Sequence, residues 1–152
     1  MRSAFPSAVQ DITEAGNCLA VGCNTAAVFH LMRACEWGLR AFCAHFGLKQ
    51  AKSVKKSGKV AYTPVSYVDW ETMLNQLHPL VDAKINSMKR GGEKQKAQEY
   101  YYPILQDIRG IRDAWRNHVM HSRAMYTAKD AEAIIDHVQR LLMMLAERVK
   151  EA

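Results

Sequence analysis

No apolar run in this 152-residue chain approaches the roughly 18 residues that a membrane span requires. Its first residues, Met1-Arg2-Ser3-Ala4-Phe5-Pro6, lack the apolar core of a secretory signal. Both absences predict a cytoplasmic protein without a membrane partner. Paired cysteines are missing too. Cys18, Cys23, Cys35 and Cys43 contain no CxxC spacing, and a zinc site normally draws on closely paired ligands. Neither a metal nor a cofactor is expected, and reduced, mostly buried thiols fit a reducing compartment. Nor does any segment alternate for long like a half-buried strand.

What is present is helical periodicity and positive charge. A chain of this length makes one ordinary domain. Its 49% hydrophobic and 24% charged residues describe a globular protein, neither fibrous nor disordered. The formal net charge of +6 favours an anionic partner, and nucleic acid is the commonest, although charge alone does not carry that claim.

The periodicity predicts a first helix over 7–21, with Pro6 ahead of it and Gly22 just past its end. A second runs from an N-cap at Asn24 to about Phe46 and stops at Gly47. Its apolar stripe is Val28, Leu31, Met32, Cys35, Leu39, Phe42, Cys43 and Phe46. Residues 47–67 break the pattern: Lys49, Lys52, Lys55, Lys56 and Lys59 fall within eleven residues that hold no acid. A long basic loop is predicted there. A third helix starts near Asp69 and runs toward Met88, kinked or split at Pro79. After a turn at 89–92, a fourth runs from about Glu93 to Val119 with a bend at Pro103. Thr127 caps the last helix, with Asp130 as the acid of a capping box. That helix buries Ile134, Ile135, Val138, Leu141, Leu142 and Leu145. The expected fold is all-α, an up-and-down bundle of four to five helices forming one domain over 1–152.

The end of the fourth helix, Ala114-Trp115-Arg116-Asn117-His118-Val119-Met120-His121, holds the residues with chemistry to offer. At about 100° per residue, Ile104, Ile108, Ile111 and Trp115 form its core face. Arg116 then projects to one side, and Asn117 and His121 lie on the far side. An arginine, a polar residue and a histidine after four to six intervening positions resemble the motif of the HEPN superfamily. The second helix, Phe29-His30-Leu31-Met32-Arg33-Ala34-Cys35-Glu36-Trp37-Gly38-Leu39-Arg40, is similar to its counterpart in a group of bacterial HEPN-like proteins. So is the Tyr126-Thr127 entry to the last helix. The resemblance extends from about Phe5 to Ala146. It implies a helical, often homodimeric, metal-independent endoribonuclease, a toxin or defence effector that an antitoxin protein would restrain. The rival expectation is a non-catalytic HEPN-like module for RNA or nucleotide binding, or for dimerisation.

These residue types suit that chemistry. Cleaving RNA without a metal requires the 2′-hydroxyl to lose a proton and the leaving oxygen to gain one, and a histidine performs either transfer. A guanidinium binds the developing phosphorane charge with two hydrogen bonds. His121 and Arg116 take these roles, and Asn117 orients the histidine or holds a phosphate oxygen. On a straight helix Arg116 and His121 stand about 140° apart. Either the helix ends near His121 or a two-fold partner completes the site.

Glu36 has two readings: an intrahelical ladder with Arg33 and Arg40, or a carboxylate reaching Arg116 or His121. Arg112, Arg33 and Arg40 are further candidates for RNA phosphates, as are Lys52, Lys55 and Lys56, unless the lysine loop is merely solvated. Tyr62 and Tyr67 are placed to stack on bases, while Tyr100, Tyr101 and Tyr102 are assigned to packing. His30, His45, His78 and His137 are expected at the surface or boundary, and His118 in the packing.

Overall fold

The computed structural model describes residues 1–121 and 125–151. Five main helices build the domain: α1 (Ala8–Ala20), α2 (Asn24–His45), α3 (Trp70–Ser87), α4 (Gly92–Ile111) and α6 (Ala128–Ala146), with a short α5 (Asn117–Met120) between the last two. The helical bundle expected from the periodicity is present. α2 lies at its centre, against α1 on one side and α6 on another, while α3 packs on α4. Val28, Leu31, Met32, Cys35, Leu39, Phe42 and Cys43 of the α2 stripe are all buried. Gly38 allows the approach of α6: a Cβ there would stand 2.7 Å from Leu142 Cδ2. Burial pushes the Cys43 thiol up to about 12 and raises that of Cys35 as well. Cys18 is only half-buried, and Cys23 is exposed.

Element ends follow the expected chemistry in two places and depart from it in one. Asp69 caps α3 by accepting from the Thr72 N–H, and Thr127 with Asp130 makes a full capping box on α6. At α2 the N-cap is Cys23 and not Asn24, without a side-chain bond. α3 runs unbroken past Pro79, and α4 past Pro103. Both prolines are exposed, so the carbonyl each leaves without its helical N–H lies on the watered side.

The basic segment is not a loop. Strand β1 (Gln50–Val54) pairs antiparallel with β2 (Val60–Pro64), in a register that sets Lys52 opposite Tyr62 and Val54 opposite Val60. The turn between them is bonded twice, Gly58 N–H to Lys55 O and Lys55 N–H to Lys59 O, with Gly58 at a φ of 77°. That left-handed glycine is the residue a three-residue hairpin loop with a bulge requires. Ala51 is buried beneath the hairpin, and Gln76 of α3 clips the Lys52 backbone at both its N–H and its C=O, at 2.8 and 2.9 Å. Lysine density hid this element: β1 buries Ala51 alone, β2 alternates over only five residues, and the outward positions are not uniformly polar.

Candidate functional site

Beyond Ile111 the long helix widens into a π-helical turn, Arg112–Arg116. The Asn117 N–H donates to the Arg112 carbonyl, five residues back in place of four. Such a turn accommodates one extra residue and rotates all that follows by roughly 100°. It corrects the expected facing of the last turn. An unbroken α-helix would carry the core face from Ile111 to His118, but Val119 is the buried residue and His118 is exposed. Trp115, expected in the core, is half-buried with its ring edge-on to His137 at 5.2 Å. The Trp115 carbonyl accepts from the Tyr126 hydroxyl at 3.4 Å. Tyr126 is fixed in turn by its N–H, which donates to Thr25 at the start of α2.

Arg116 is half-buried, with its guanidinium carbon 5.8 Å from the ring centre of Trp70, the first residue of α3. Trp70 is 1% exposed and donates its Nε1–H to Glu36 Oε2 at 2.9 Å. The other oxygen of Glu36 accepts from Arg40, whose same nitrogen also donates to the Ser66 carbonyl at 3.1 Å. Glu36 therefore reaches Arg116 through an intervening indole and not by direct contact. Of the expected ladder only the Glu36–Arg40 pair forms. Asn117 is half-buried beside Arg116. The helix ends at Met120, and His121 is its exposed C-terminal cap at φ −105° and ψ 16°. The helical path therefore stops at His121, and the chain beyond it departs from the helix axis.

The remaining candidates divide. Arg112 is engaged by Asp113, whose carboxylate it meets at 2.8 Å; this hydrogen bond raises the Arg112 pKa and lowers that of Asp113. Arg33 turns away from Glu36 to Asp11 on α1, 3.2 Å distant. Lys52, Lys55 and Lys56 stand exposed on the hairpin. Among the described residues, no cluster of His, Cys, Asp or Glu is arranged to hold a metal, and no helix is long and apolar enough to cross a membrane.

Sequence reasoning missed Asp11. It is the buried charged residue of α1, 4% exposed, and it gathers three side chains of α2, two by hydrogen bonds and one by an ion pair. His30 Nδ1 lies 3.1 Å from Oδ1, Arg33 Nε 3.2 Å from the same atom, and Trp37 Nε1 3.2 Å from Oδ2. The three side chains recur at 30, 33 and 37, one helical face, which marks a shared partner across the interface. Trp70 was missed as well, its role being set by contacts with two other helices.

No family model matches this chain, and no curated protein or solved structure matches it either.

Proposed function

We propose that this protein is a metal-independent endoribonuclease of HEPN type, acting as a homodimer. Its Arg116 binds the scissile phosphate and its His121 transfers the proton. The observation that carries this reading is the support behind Arg116. A half-buried guanidinium lies over a buried indole that is itself tied to a carboxylate. An exposed histidine stands five positions on, at the end of the same helix. A guanidinium held against an aromatic face loses little freedom on meeting a phosphate and keeps its hydrogen-bonding edge available. Asn117, half-buried between them in sequence, orients the histidine or takes a phosphate oxygen. Glu36 sets the arginine through Trp70. Lys52, Lys55 and Lys56 add a salt-sensitive share of affinity. A toxin or defence effector held in check by an antitoxin is the biological setting that the HEPN resemblance implies.

The test is cleavage of a mixed RNA pool in the presence of a chelator. Wild type should cut. His121→Ala should lose a hundred- to ten-thousand-fold, on the order of a general acid–base contribution, with unchanged helix content by circular dichroism. Arg116→Lys should recover little of what Arg116→Ala loses, because an ammonium does not reproduce bidentate phosphate contacts. Cleavage that survives His121→Ala removes the assignment. A wild-type protein that binds RNA and never cuts it identifies the non-catalytic HEPN-like module instead.

A further inference from the structure

Two tyrosines stand bare, one on the hairpin and one on the segment that joins it to α3. Tyr67 is 82% exposed and Tyr62 62%, whereas Tyr100 and Tyr101 are each 9% exposed. Both rings project from backbone that is firmly held. Tyr62 sits on β2 opposite Lys52, the residue that Gln76 clips to α3. Tyr67 closes the 3-10 turn Val65–Tyr67; the Ser66 carbonyl just before it is gripped by Arg40. Three residues later comes Trp70, lying beneath Arg116. Tyr67 thus follows directly on Ser66, which Arg40 ties to Glu36, and Tyr62 stands five residues earlier on the outer face of the hairpin. Five residues of extended chain span at most about 18 Å, the reach of a short oligonucleotide.

Charge divides along this line. Lys52, Lys55, Lys56 and Lys59 are all exposed at the hairpin end. Beside Tyr67 the exposed acids Asp69 and Glu71 offset Arg112. Phosphates are favoured on the hairpin; beside Tyr67 the acids disfavour them and leave the exposed tyrosine ring as the face for a base. Unpaired bases have faces to stack, whereas a duplex hides them and presents a continuous phosphate surface.

We propose that Tyr62 and Tyr67 form a base-stacking track that guides single-stranded RNA from the lysine hairpin to Arg116. The direction of the track rests on the ribonuclease reading; its capacity to bind does not. The full chain is titrated by fluorescence anisotropy into a labelled single-stranded RNA carrying 2′-O-methyl groups throughout, which blocks attack by the 2′-oxygen. The single strand should bind more tightly than a duplex of the same length. Tyr67→Ala and Tyr62→Ala should each weaken it about tenfold, and Tyr67→Phe and Tyr62→Phe should restore it. The dependence of Kd on salt should stay as in wild type. No single-strand binding, equal affinity for duplex, or alanine variants that match wild type would overturn the track. So would alanine variants that release phosphatidylserine vesicles but not RNA, which would make this a membrane-facing surface. Wild type that binds as expected, yet never cuts unmodified RNA, keeps the track and removes the nuclease.

Discussion

The guanidinium of Arg116 lies over the ring of Trp70 at 5.8 Å, and Trp70 is locked in that position by its 2.9 Å hydrogen bond to Glu36. Replacing Trp70 with Phe keeps an aromatic face but withdraws the N–H, leaving a part-buried carboxylate oxygen without its donor. Trp70→Phe should lose about 1–3 kcal/mol in urea denaturation. Turnover on RNA should fall while Kd for uncleavable RNA barely moves, since Arg116 stays charged but is less well aimed. Equal stability and turnover in variant and wild type would dissociate Trp70 from the arginine.

Asp11→Ala would take the carboxylate partner from the Trp37 indole and His30, and the ion pair from Arg33. Leaving a buried donor such as the Trp37 N–H unsatisfied typically costs about 1–3 kcal/mol. Because the Arg33 side chain is 52% exposed and regains water, a loss of about 2 kcal/mol is expected from urea unfolding. A loss under about 1 kcal/mol would mean that the α1–α2 contact holds without its polar centre.

Both aspartates that cap helices have pKa values pulled below the ordinary 3.8: Asp69 chiefly by the Thr72 N–H, Asp130 chiefly by the Thr127 hydroxyl. A depressed folded-state value means that the stabilisation is complete above the unfolded pKa. It is lost as pH falls through the folded one. The thermal midpoint should therefore hold above about pH 4 and drop below it. Asp69→Asn, which caps without titrating, should show a shallower acid loss; an identical acid profile would exclude this cap as a contributor.

Lys52, Lys55 and Lys56 belong to a formed hairpin, so replacing them with Gln should leave the fold in place and change only charge. On a single strand each phosphate contact contributes about 0.7 to the slope of log affinity against log salt, so the triple variant should flatten it by about 2. An unchanged slope would show that the hairpin lysines do not touch phosphate.

Sedimentation at tens of micromolar should give a two-fold dimer, with the C-terminal end of the α4–α5 helix facing its mate. A strictly monomeric protein that still cleaves RNA would place the whole site within one chain.

Elements with a long repeat were legible in the sequence. The eight-residue stripe of α2 and the Thr127–Asp130 box both carry their signal within one helix, where spacing alone fixes the partners. The hairpin was not legible, because Lys52, Val54, Val60 and Tyr62 mix charge and apolarity on one exposed face. His118 was misplaced for a different reason. Its seven-residue spacing from Ile111 matches an α-helix, and nothing in Arg112-Asp113-Ala114-Trp115-Arg116 announces the wider turn. Of the candidate site, the sequence supplied Arg116, Asn117, His121 and Glu36. Trp70, the residue between Glu36 and Arg116, came from neither motif nor periodicity, since it joins them only once α3 is packed.

The π-helical turn makes the aim of the last four helical residues a matter of counting. A substitution at Ala114 that keeps the turn wide leaves the facing of Asn117 to Met120 as it is. Losing a single residue there would let the helix close into regular α geometry with that facing kept, because Val119 would then follow Ile111 by seven residues. Closing the turn with all its residues retained would instead rotate them by roughly 100° and turn His118 inward in place of Val119. Two chains can thus carry the same Arg–His spacing and present it to different neighbours, depending on whether the turn before it is wide or narrow. For this helix, the width of the turn immediately upstream carries as much orientational information as the letters of the motif itself.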